Sequence, residues 1–358
     1  MGIAEPASPI AVRVWATGEA ELDGRLVEGR IARALTLRAA LFASAASEPE
    51  GKATSAYRLL HGEGDRTPGF VVDRYGPVAV LRLDGDGASG FAKVLVPVLW
   101  KHLEPAGIRT LVQRGVGGGP QPRSGASAGE TKSVHLLGEP MPDTIEVTEH
   151  GVPFVVDLAR GQKTGAFLDQ RENRRRVGEI VQRRGAKRVL NLFSYAGGFS
   201  LRAALGGAEK VTSVDIAAGA HATAQASFRR AGVDPRAHEF VTADAFAFLA
   251  EAKRAEKTWD VVVSDPPSFA PSEKALARAT QAYRALHRAC AEVLAPGGVF
   301  CAASCSSHVD AVTFAATLDD AALGRGDLRL LSMHGPGEDH PTLPAWPEGR
   351  YLKFAVMA

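Results

Sequence analysis

Three aspartates end β-rich segments in the second half of the chain, where they could hold a ligand. Asp215 closes VTSVD, Asp244 closes HEFVTAD and Asp265 closes WDVVVSD. In an open α/β sheet the carboxyl ends of the parallel strands form one edge, and side chains there face a bound nucleotide rather than the core. A single aspartate in such a place often caps the following helix, whereas three at successive strand ends favour a nucleotide-binding edge.

The turn before these aspartates suits a small charged ligand group. It reads NLFSYAGGFS from Asn191 to Ser200. Paired glycines let the backbone approach a ligand, but the three spaced glycines of a dinucleotide cradle are absent. The turn therefore favours the amino-acid end of S-adenosylmethionine over a pyrophosphate. Asp215 lies near the roughly 20-residue spacing at which an acidic residue takes ribose hydroxyls, and Asp244, followed by Ala245, is expected to take the adenine amino group. The cofactor contacts predicted at this edge are Asn191, Phe193, Ser194, Tyr195, Gly197, Asp215, Asp244, Ala245 and Asp265.

The segment after the third aspartate should be rigid. It reads Asp265-Pro266-Pro267-Ser268. Each proline fixes φ and removes an N–H donor, so the turn should hold Asp265 and an adjacent carbonyl at the edge of the sheet. Such an edge suits substrate positioning, and we predict that Asp265 takes part in catalysis as well as in cofactor binding.

Three cysteines lie in the last third of the chain, and their surroundings differ. Cys290 lies in the helical run YRALHRACAEVL and Cys301 in the strand that starts at Gly298, so both are predicted to be core residues. Cys305 lies further along that strand, roughly 13 Å nearer the ligand edge at about 3.3 Å per residue. Small polar residues and His308 follow it, so its thiol should be partly exposed. Cys305 is the predicted nucleophile.

A thiol beside a methyl-donor pocket suggests one particular chemistry. Carbon 5 of a pyrimidine is a poor nucleophile, but addition of a thiolate at carbon 6 makes it enamine-like, so that it can take a methyl group. The thiolate must then form near neutral pH from an ordinary pKa of about 8.5. We expect His308 or nearby basic residues to lower that pKa, and Asp265 to steady cytosine N3 and the exocyclic amine.

Short Val- and Phe-rich runs alternate with helical stretches from residue 187 onward. The strand-like runs are RVLNLF, VTSVD, HEFVTAD, WDVVVSD and GGVFCAAS. This alternation predicts a doubly wound, mostly parallel α/β sheet. The last two runs, at 328–335 and 351–358, are joined by a loop too short for a crossover helix and should pair antiparallel. A seven-stranded sheet with an antiparallel last strand is the arrangement of class I methyltransferases.

The preceding part of the chain predicts a smaller α+β domain. Apolar spacing predicts an amphipathic helix over 24–45, and the runs at 69–83 and 145–158 predict hairpins. Residues 115–130 are rich in Gly, Ser and Pro and are predicted to be a flexible insertion. A length of 358 residues allows two domains. We place the α+β domain at 16–143 and the methyltransferase domain at 144–358.

Whole-chain composition says more about the cellular compartment of the protein than about its binding partner. The 42 Lys and Arg residues nearly balance the 40 Asp and Glu residues, which argues neither for nor against nucleic acid. Three cysteines without Cys-x-x-Cys spacing indicate neither a disulfide framework nor a metal site, and no metal is predicted. Neither a signal-peptide pattern nor a membrane-length apolar run is seen, so we predict a cytoplasmic protein without membrane contact.

A local basic cluster points to RNA. Between Arg171 and Arg188 there are eight basic residues, against Glu172 and Glu179. Like charges on one helix repel each other by a few tenths of a kcal/mol per pair, a cost that phosphates would offset. A solvated helix face is the alternative interpretation. The predicted RNA contacts are Lys163, Arg171, Arg174 and Arg175.

Several segments together resemble one family, the ribosomal large subunit methyltransferase I type of 23S rRNA 5-methylcytosine methyltransferases. They are AYRLLHGEGDRTPGFVVDRYG, GQKTGAFLDQRENRR, VLNLFSYAGGFSL, VTSVD, DPPSFA, SCSSHV and DHPTLPAWPEGRYLK. The resemblance spans residues 9–358. It implies S-adenosylmethionine as methyl donor, Cys305 as nucleophile and a cytosine of large-subunit ribosomal RNA as acceptor. It also implies that residues 162–170, with Phe167 and Gln170 among them, border the cofactor.

Two features depart from the family pattern. Family members usually begin with a PUA RNA-binding domain, whereas here residues 1–15, with the strand-like SPIAVRVW, are expected to be a remnant of it. The family's Asp-Pro-Pro is typically followed by Lys, whereas this chain has Ser268, so a phosphate or base contact is expected to be missing.

Two other functions stay open from the sequence. One is methylation of a guanine or adenine nitrogen of RNA, which needs no covalent adduct. The other is binding of S-adenosylmethionine and RNA without turnover. The sequence also leaves a homodimer open.

Overall fold

The computed structural model of the chain describes residues 1–6, 10–18, 21–42, 53–115, 133–161, 163–270 and 272–358. They form two compact units. Unit 1 comprises Met1–Leu168 and Glu338–Ala345, and unit 2 comprises Asp169–Gly337 and Trp346–Ala358. Beyond residue 115, the predicted insertion at 115–130 lies outside the described residues.

Unit 1 is an α+β unit, as predicted. Its strands are β1 (Gly2–Ala4), β2 (Val12–Val14), β3 (Ala56–His61), β4 (Phe70–Tyr75), β5 (Val78–Leu83), β6 (Thr110–Arg114), β7 (Ser133–Gly138), β8 (Thr144–Glu149) and β9 (Val152–Asp157), and its helices are α1 (Gly24–Phe42) and α2 (Asp86–Leu103). Strands β3 to β7 form a five-stranded sheet in chain order, and β1–β2 and β8–β9 form two-stranded sheets. Helix α1 buries Val27, Ile31 and Ala34, whose three- and four-residue spacing places them on one face.

The hairpin of β8 and β9 belongs to unit 1. Val147 of β8 and Val156 of β9 are buried in one cluster with Tyr75, Val80 and Val112 of the five-stranded sheet. The hairpin itself was predicted correctly. Its packing extends unit 1 past the predicted boundary at residue 143, while the extent of the methyltransferase domain over 144–358 stays a prediction.

Unit 2 has the predicted doubly wound sheet. Its strands are β10 (Arg188–Leu192), β11 (Lys210–Asp215), β12 (Glu239–Thr242), β13 (Trp259–Ser264), β14 (Leu294–Ser304), β15 (Leu330–His334) and β16 (Lys353–Met357), and its helices are α3 (Arg171–Arg184), α4 (Gly198–Leu205), α5 (Ala218–Arg230), α6 (Ala245–Arg254), α7 (Leu276–Glu292) and α8 (Ala311–Arg325). The order across the sheet is β12-β11-β10-β13-β14-β16-β15.

The strand directions in this sheet are those predicted from the sequence. The pairs from β12 to β14 are parallel, and β16 pairs antiparallel with both β14 and β15. The central strands are buried on both faces, which explains their unbroken apolar runs such as Val261–Val263. Among the helices of the described residues, none is both long and apolar enough to cross a membrane.

Candidate active site

The strand register of unit 2 brings the predicted site residues to one edge. Leu192 of β10 lies opposite Val214 of β11 and Ser264 of β13. Ser264 in turn lies opposite Ala302 of β14. Because these strands are parallel, the residues that follow them emerge at the same edge of the sheet. The turn after β10, Asp215, Asp265 and Cys305 therefore share that edge.

The turn after β10 has a strained backbone. Phe193 and Tyr195 have φ angles of 56° and 45°, and Gly197 has a φ of 73°. Bulky residues in this left-handed region are uncommon, and such strain concentrates at ligand sites. A Cβ on Gly197 would come 2.7 Å from the Cβ of Ala224, so only glycine fits there.

Asp215 is fixed by backbone donors. Its Oδ2 accepts a hydrogen bond of 2.7 Å from the Tyr195 amide, and its Oδ1 accepts one of 2.8 Å from the Ala217 amide. Each carboxylate oxygen can accept further bonds, so the carboxylate is held in place and can still receive ribose hydroxyls.

Two buried polar atoms near the turn are available to form hydrogen bonds with a ligand. Ser194 Oγ and Asn191 Oδ1 have no hydrogen-bond partner among the described residues. Asn191 Nδ2 donates to Ser200 Oγ at 2.8 Å, and Asn191 is almost fully buried. Buried polar atoms normally find a partner. The turn thus has unused capacity for a polar ligand group, with Ser194 the better placed because it belongs to the turn itself.

Asp244 has the capping role that the sequence left as an alternative. Its Oδ1 accepts a 3.0 Å hydrogen bond from the Ala247 amide at the start of α6. The side chain is exposed and Ala245 is buried. Capping uses one carboxylate oxygen, so contact of Asp244 and Ala245 with adenine stays a prediction.

Gln170 connects two predicted site residues. Its Nε2 donates to Asp265 Oδ1 at 3.0 Å, and its Oε1 accepts from Asn173 Nδ2 at 2.7 Å. The Asn173 bond fixes which end of the Gln170 amide faces Asp265. Gln170 therefore orients the Asp265 carboxylate. Phe167, the other predicted residue of this segment, lies in unit 1, where its ring is 4.4 Å from Lys163 Nζ.

The three cysteines differ as predicted. Cys290 and Cys301 are fully buried, and burial raises the pKa of each thiol to about 12. Cys305 is half-buried, and its Sγ lies 4.0 Å from the carbonyl oxygen of Pro266. The Asp-Pro-Pro turn thus presents a carbonyl beside this thiol. Of the three thiols, that of Cys305 is the one accessible at this edge.

A hydroxyl network fixes the backbone on both sides of Cys305. Tyr283 OH of α7 lies 2.9 Å from Ser304 Oγ and 3.1 Å from Ser306 Oγ. Ser306 Oγ lies 2.9 Å from Ser268 Oγ. Ser268, the departure from the family pattern, therefore ties the Asp-Pro-Pro turn to the loop of Cys305.

Lys353 is a site residue that the sequence analysis missed. It lies on β16, directly opposite Ser304 of β14. Its Nζ donates to the carbonyl oxygens of Ser306 and Tyr351, both at 2.6 Å. A signal was present, because a lysine within the apolar run YLKFAVMA must be buried or lie at a strand edge. His308, one of the basic residues near Cys305 that were expected to favour its thiolate, is exposed.

The predicted RNA contacts fall into two groups. Arg171 and Arg174 are buried, with 2% and 8% of their surface exposed, so phosphate contact would require them to leave their present positions. Lys163 and Arg175 are exposed. Arg175 pairs with Glu172 at 3.2 Å and with Glu179 at 2.8 Å, as in a solvated helix face.

Comparisons with known proteins define the class. A family model described as S-adenosylmethionine-dependent methyltransferase matches residues 126–332. The crystal structure of SMU.776 complexed with SAH superposes with a TM-score of 0.82 at 25% identity, covering 97% of this chain and 84% of that one. A SAM-dependent methyltransferase from Agrobacterium tumefaciens shares the fold, with a TM-score of 0.59 at 20% identity over 86% of this chain and 91% of that one. The chain therefore belongs to the class I S-adenosylmethionine-dependent methyltransferases. The predicted fold and the predicted methyl donor are confirmed.

Curated relatives identify the family within this class. The chain is 33% identical to ribosomal RNA large subunit methyltransferase I of Klebsiella pneumoniae (strain 342), over 98% of this chain and 84% of the relative. It is 37% identical to a ribosomal RNA large subunit methyltransferase of Deinococcus radiodurans, over 100% of this chain and 85% of the relative. The chain belongs to the ribosomal RNA large subunit methyltransferase I family, as its motifs predicted.

Proposed function

We propose that this protein methylates carbon 5 of a cytosine in large-subunit ribosomal RNA through a covalent adduct with Cys305. The names of the relatives support ribosomal RNA as substrate. One observation carries the chemistry: the half-exposed Cys305 thiol lies beside the Pro266 carbonyl at the ligand edge, whereas Cys290 and Cys301 are sealed in the core.

The methyl donor would be held by residues of the same edge. S-Adenosylmethionine supplies an electrophilic methyl group when bound. Asp215 would accept the ribose hydroxyls, the turn with Ser194 and Gly197 would hold the amino-acid end, and Asp244 would accept from the adenine amine. The fixed Asp215 carboxylate and the unpartnered Ser194 hydroxyl fit those roles.

Cys305 would begin the reaction. Its thiolate would form a bond to cytosine carbon 6, and the electron pair of the carbon 5–carbon 6 double bond would shift to carbon 5, where it is shared with carbon 4 and N3. Carbon 5 would then take the methyl group, and the sulfonium sulfur of the donor would keep the electron pair of the broken sulfur–methyl bond and leave as S-adenosylhomocysteine. A base removes the proton from carbon 5, the double bond re-forms, and the sulfur–carbon bond breaks to release the Cys305 thiolate.

Asp265 would hold the base while this happens. Its carboxylate is oriented by Gln170 and lies next to the two prolines that keep the turn rigid. In that position it would accept a hydrogen bond from the exocyclic amine of cytosine. Of the two RNA pyrimidines, cytosine is the one whose exocyclic group offers donors, so a carboxylate favours it over uracil.

RNA contact would use exposed cations. Lys163 in unit 1 and Arg175 in unit 2 fit that role, whereas Arg171 and Arg174 are buried. The target base would be single-stranded or flipped, since addition at carbon 6 and methylation at carbon 5 need access to the ring. A ribosomal RNA substrate supports the predicted cytoplasmic location.

The test is mass spectrometry of nucleosides from ribosomal RNA of a deletion strain. We expect loss of one 5-methylcytidine, restored by the wild type and by Cys301→Ala but not by Cys305→Ala. Cys301 is the matched control because it is buried and lies on β14, the strand that Cys305 directly follows. A methylated purine in place of 5-methylcytidine, still formed by Cys305→Ala, would instead establish nitrogen methylation.

A further inference from the structure

Lys353 is a buried cation without an ion-pair partner. The residue is 3% exposed, and its Nζ donates to two backbone carbonyls, those of Ser306 and Tyr351. Among the described residues no carboxylate lies within ion-pairing distance of it. A buried ammonium costs free energy unless it is paired. The fold therefore keeps this charge for a reason other than an ion pair.

The position of the charge suggests that reason. Lys353 lies opposite Ser304 in the strand register, and its Nζ donates to the carbonyl of Ser306. Ser304 and Ser306 are the two residues that flank Cys305. Burial lowers the pKa of Lys353 to about 8, and the charge of Cys305, followed by that of Asp310, opposes this shift. The ammonium and the thiol are thus close enough to act on each other.

We propose that Lys353 is a positioning residue that favours the thiolate form of Cys305, with its ammonium held at the Cys305 loop by the Ser306 and Tyr351 carbonyls. The inference rests on the proposed function, because a stabilised thiolate serves the reaction only if Cys305 is the nucleophile. The thiol gives its proton to solvent, and the ammonium stays protonated.

The other groups near Cys305 are less suited to this task. Tyr283 of α7 has a raised pKa because it is buried, so its hydroxyl stays neutral. Asp310 at the start of α8 has a lowered pKa because the Thr313 amide donates to it, so it adds negative charge and disfavours a thiolate. His308 is exposed to solvent. Lys353 is the buried basic group of this set.

The test measures the thiolate directly, without RNA. Full-length protein is alkylated with iodoacetamide across a pH series, and mass spectrometry follows the peptide that contains Cys305. Wild type, Lys353→Met, Lys353→Arg and the exposed-lysine control Lys253→Met are compared. Thermal unfolding and SAH titration report whether each variant is folded.

We expect Lys353→Met to move the half-point of the alkylation profile upward by one pH unit or more, which slows alkylation about tenfold near neutral pH. Lys353→Arg should restore most of the wild-type rate because it keeps the charge, and Lys253→Met should behave as wild type. A folded Lys353→Met with the wild-type profile would overturn the proposal. So would a wild-type half-point at or above the ordinary thiol value of about 8.5, a result that needs no variant.

This test separates the inference from the proposed function. A shifted profile in Lys353→Met, together with full methylation by Cys305→Ala, would support the effect of Lys353 on the thiol and overturn the cytosine adduct.

Discussion

Two buried ion pairs of unit 1 and one buried lysine of unit 2 arrange their charge differently. In unit 1, Arg38 binds Asp65 through two hydrogen bonds of 2.7 and 2.6 Å, and Arg58 binds Asp73 through two of 2.8 and 3.1 Å. In unit 2, Lys353 at the ligand edge is bound by carbonyl oxygens alone. The charge of these two pairs is neutralised where it lies, whereas the charge of Lys353 remains available to a neighbour.

The two arrangements indicate different roles for buried charge. A buried pair whose hydrogen bonds are satisfied fixes local structure and offers little to a ligand. A buried cation without a counter-ion lowers stability, so its presence beside a half-exposed thiol indicates a chemical role. Breaking the two arrangements should have different effects on stability, and the helix cap at Asp244 gives a third, smaller effect.

The largest effect is expected from breaking a pair in unit 1. Arg38→Met should reduce the free energy of unfolding by about 3–5 kcal/mol, because Asp65 would be left buried without its counter-charge. Denaturant unfolding measures this change. The control is Lys101→Met, which removes the exposed partner of Glu28 and should have little effect. An equally small loss in Arg38→Met would show that the pair is not structural.

Lys353→Met should have the opposite effect on the free energy of unfolding, because it removes a buried charge that has no counter-ion. The pKa of Lys353 is about 8 in the folded protein and 10.5 ordinarily, so between these values the unfolded chain holds a proton that the folded protein has lost. Wild-type stability should therefore rise with pH across that window relative to Lys353→Met, by up to about 1.4 kcal/mol per pH unit. Below about pH 8 the difference should be constant.

Unfolding of the wild type and of Lys353→Met across this pH range measures the slope. Lys253→Met, which removes an exposed lysine of unit 2, should show no such slope relative to wild type. A flat difference between wild type and Lys353→Met would mean that the ammonium is not desolvated, and the contrast with unit 1 would disappear.

The smallest effect concerns Asp244. Asp244→Ser keeps a capping hydroxyl and should leave stability within about 0.5 kcal/mol, whereas Asp244→Ala loses the cap and should cost about 1 kcal/mol. If the carboxylate also accepts from adenine, both variants should bind SAH roughly tenfold more weakly. Calorimetric titration with SAH measures this. Unchanged affinity in both variants would leave Asp244 as a helix cap alone.

The sequence predicted the sheet of unit 2 well because its signals are local. Alternating apolar runs predicted each strand from β10 to β14, and the short loop before YLKFAVMA predicted the antiparallel pair of β15 and β16. The exposure of Cys305 followed from its place just past a strand, where small polar residues begin.

Features that depend on long-range contacts could not be predicted in this way. The bond between Gln170 and Asp265 joins segments far apart in the chain, and the packing of the β8–β9 hairpin depends on apolar residues of the earlier sheet. Arg171 and Arg174 look like RNA contacts in a basic segment, yet the fold buries both. The sequence suggested His308 or nearby basic residues as the charge beside Cys305, whereas Lys353 comes from a separate strand, β16.

Capture of the covalent adduct tests whether Cys305 is the nucleophile. Large-subunit ribosomal RNA carrying 5-fluorocytosine is incubated with the protein and S-adenosylmethionine, since fluorine at carbon 5 blocks the final proton removal and should trap the sulfur–carbon bond. We predict a complex that survives denaturation, with RNA attached to the peptide that contains Cys305, and no such complex with Cys305→Ala. A wild type that methylates ordinary RNA to 5-methylcytidine but leaves Cys305 unattached to the fluorinated RNA would contradict the account.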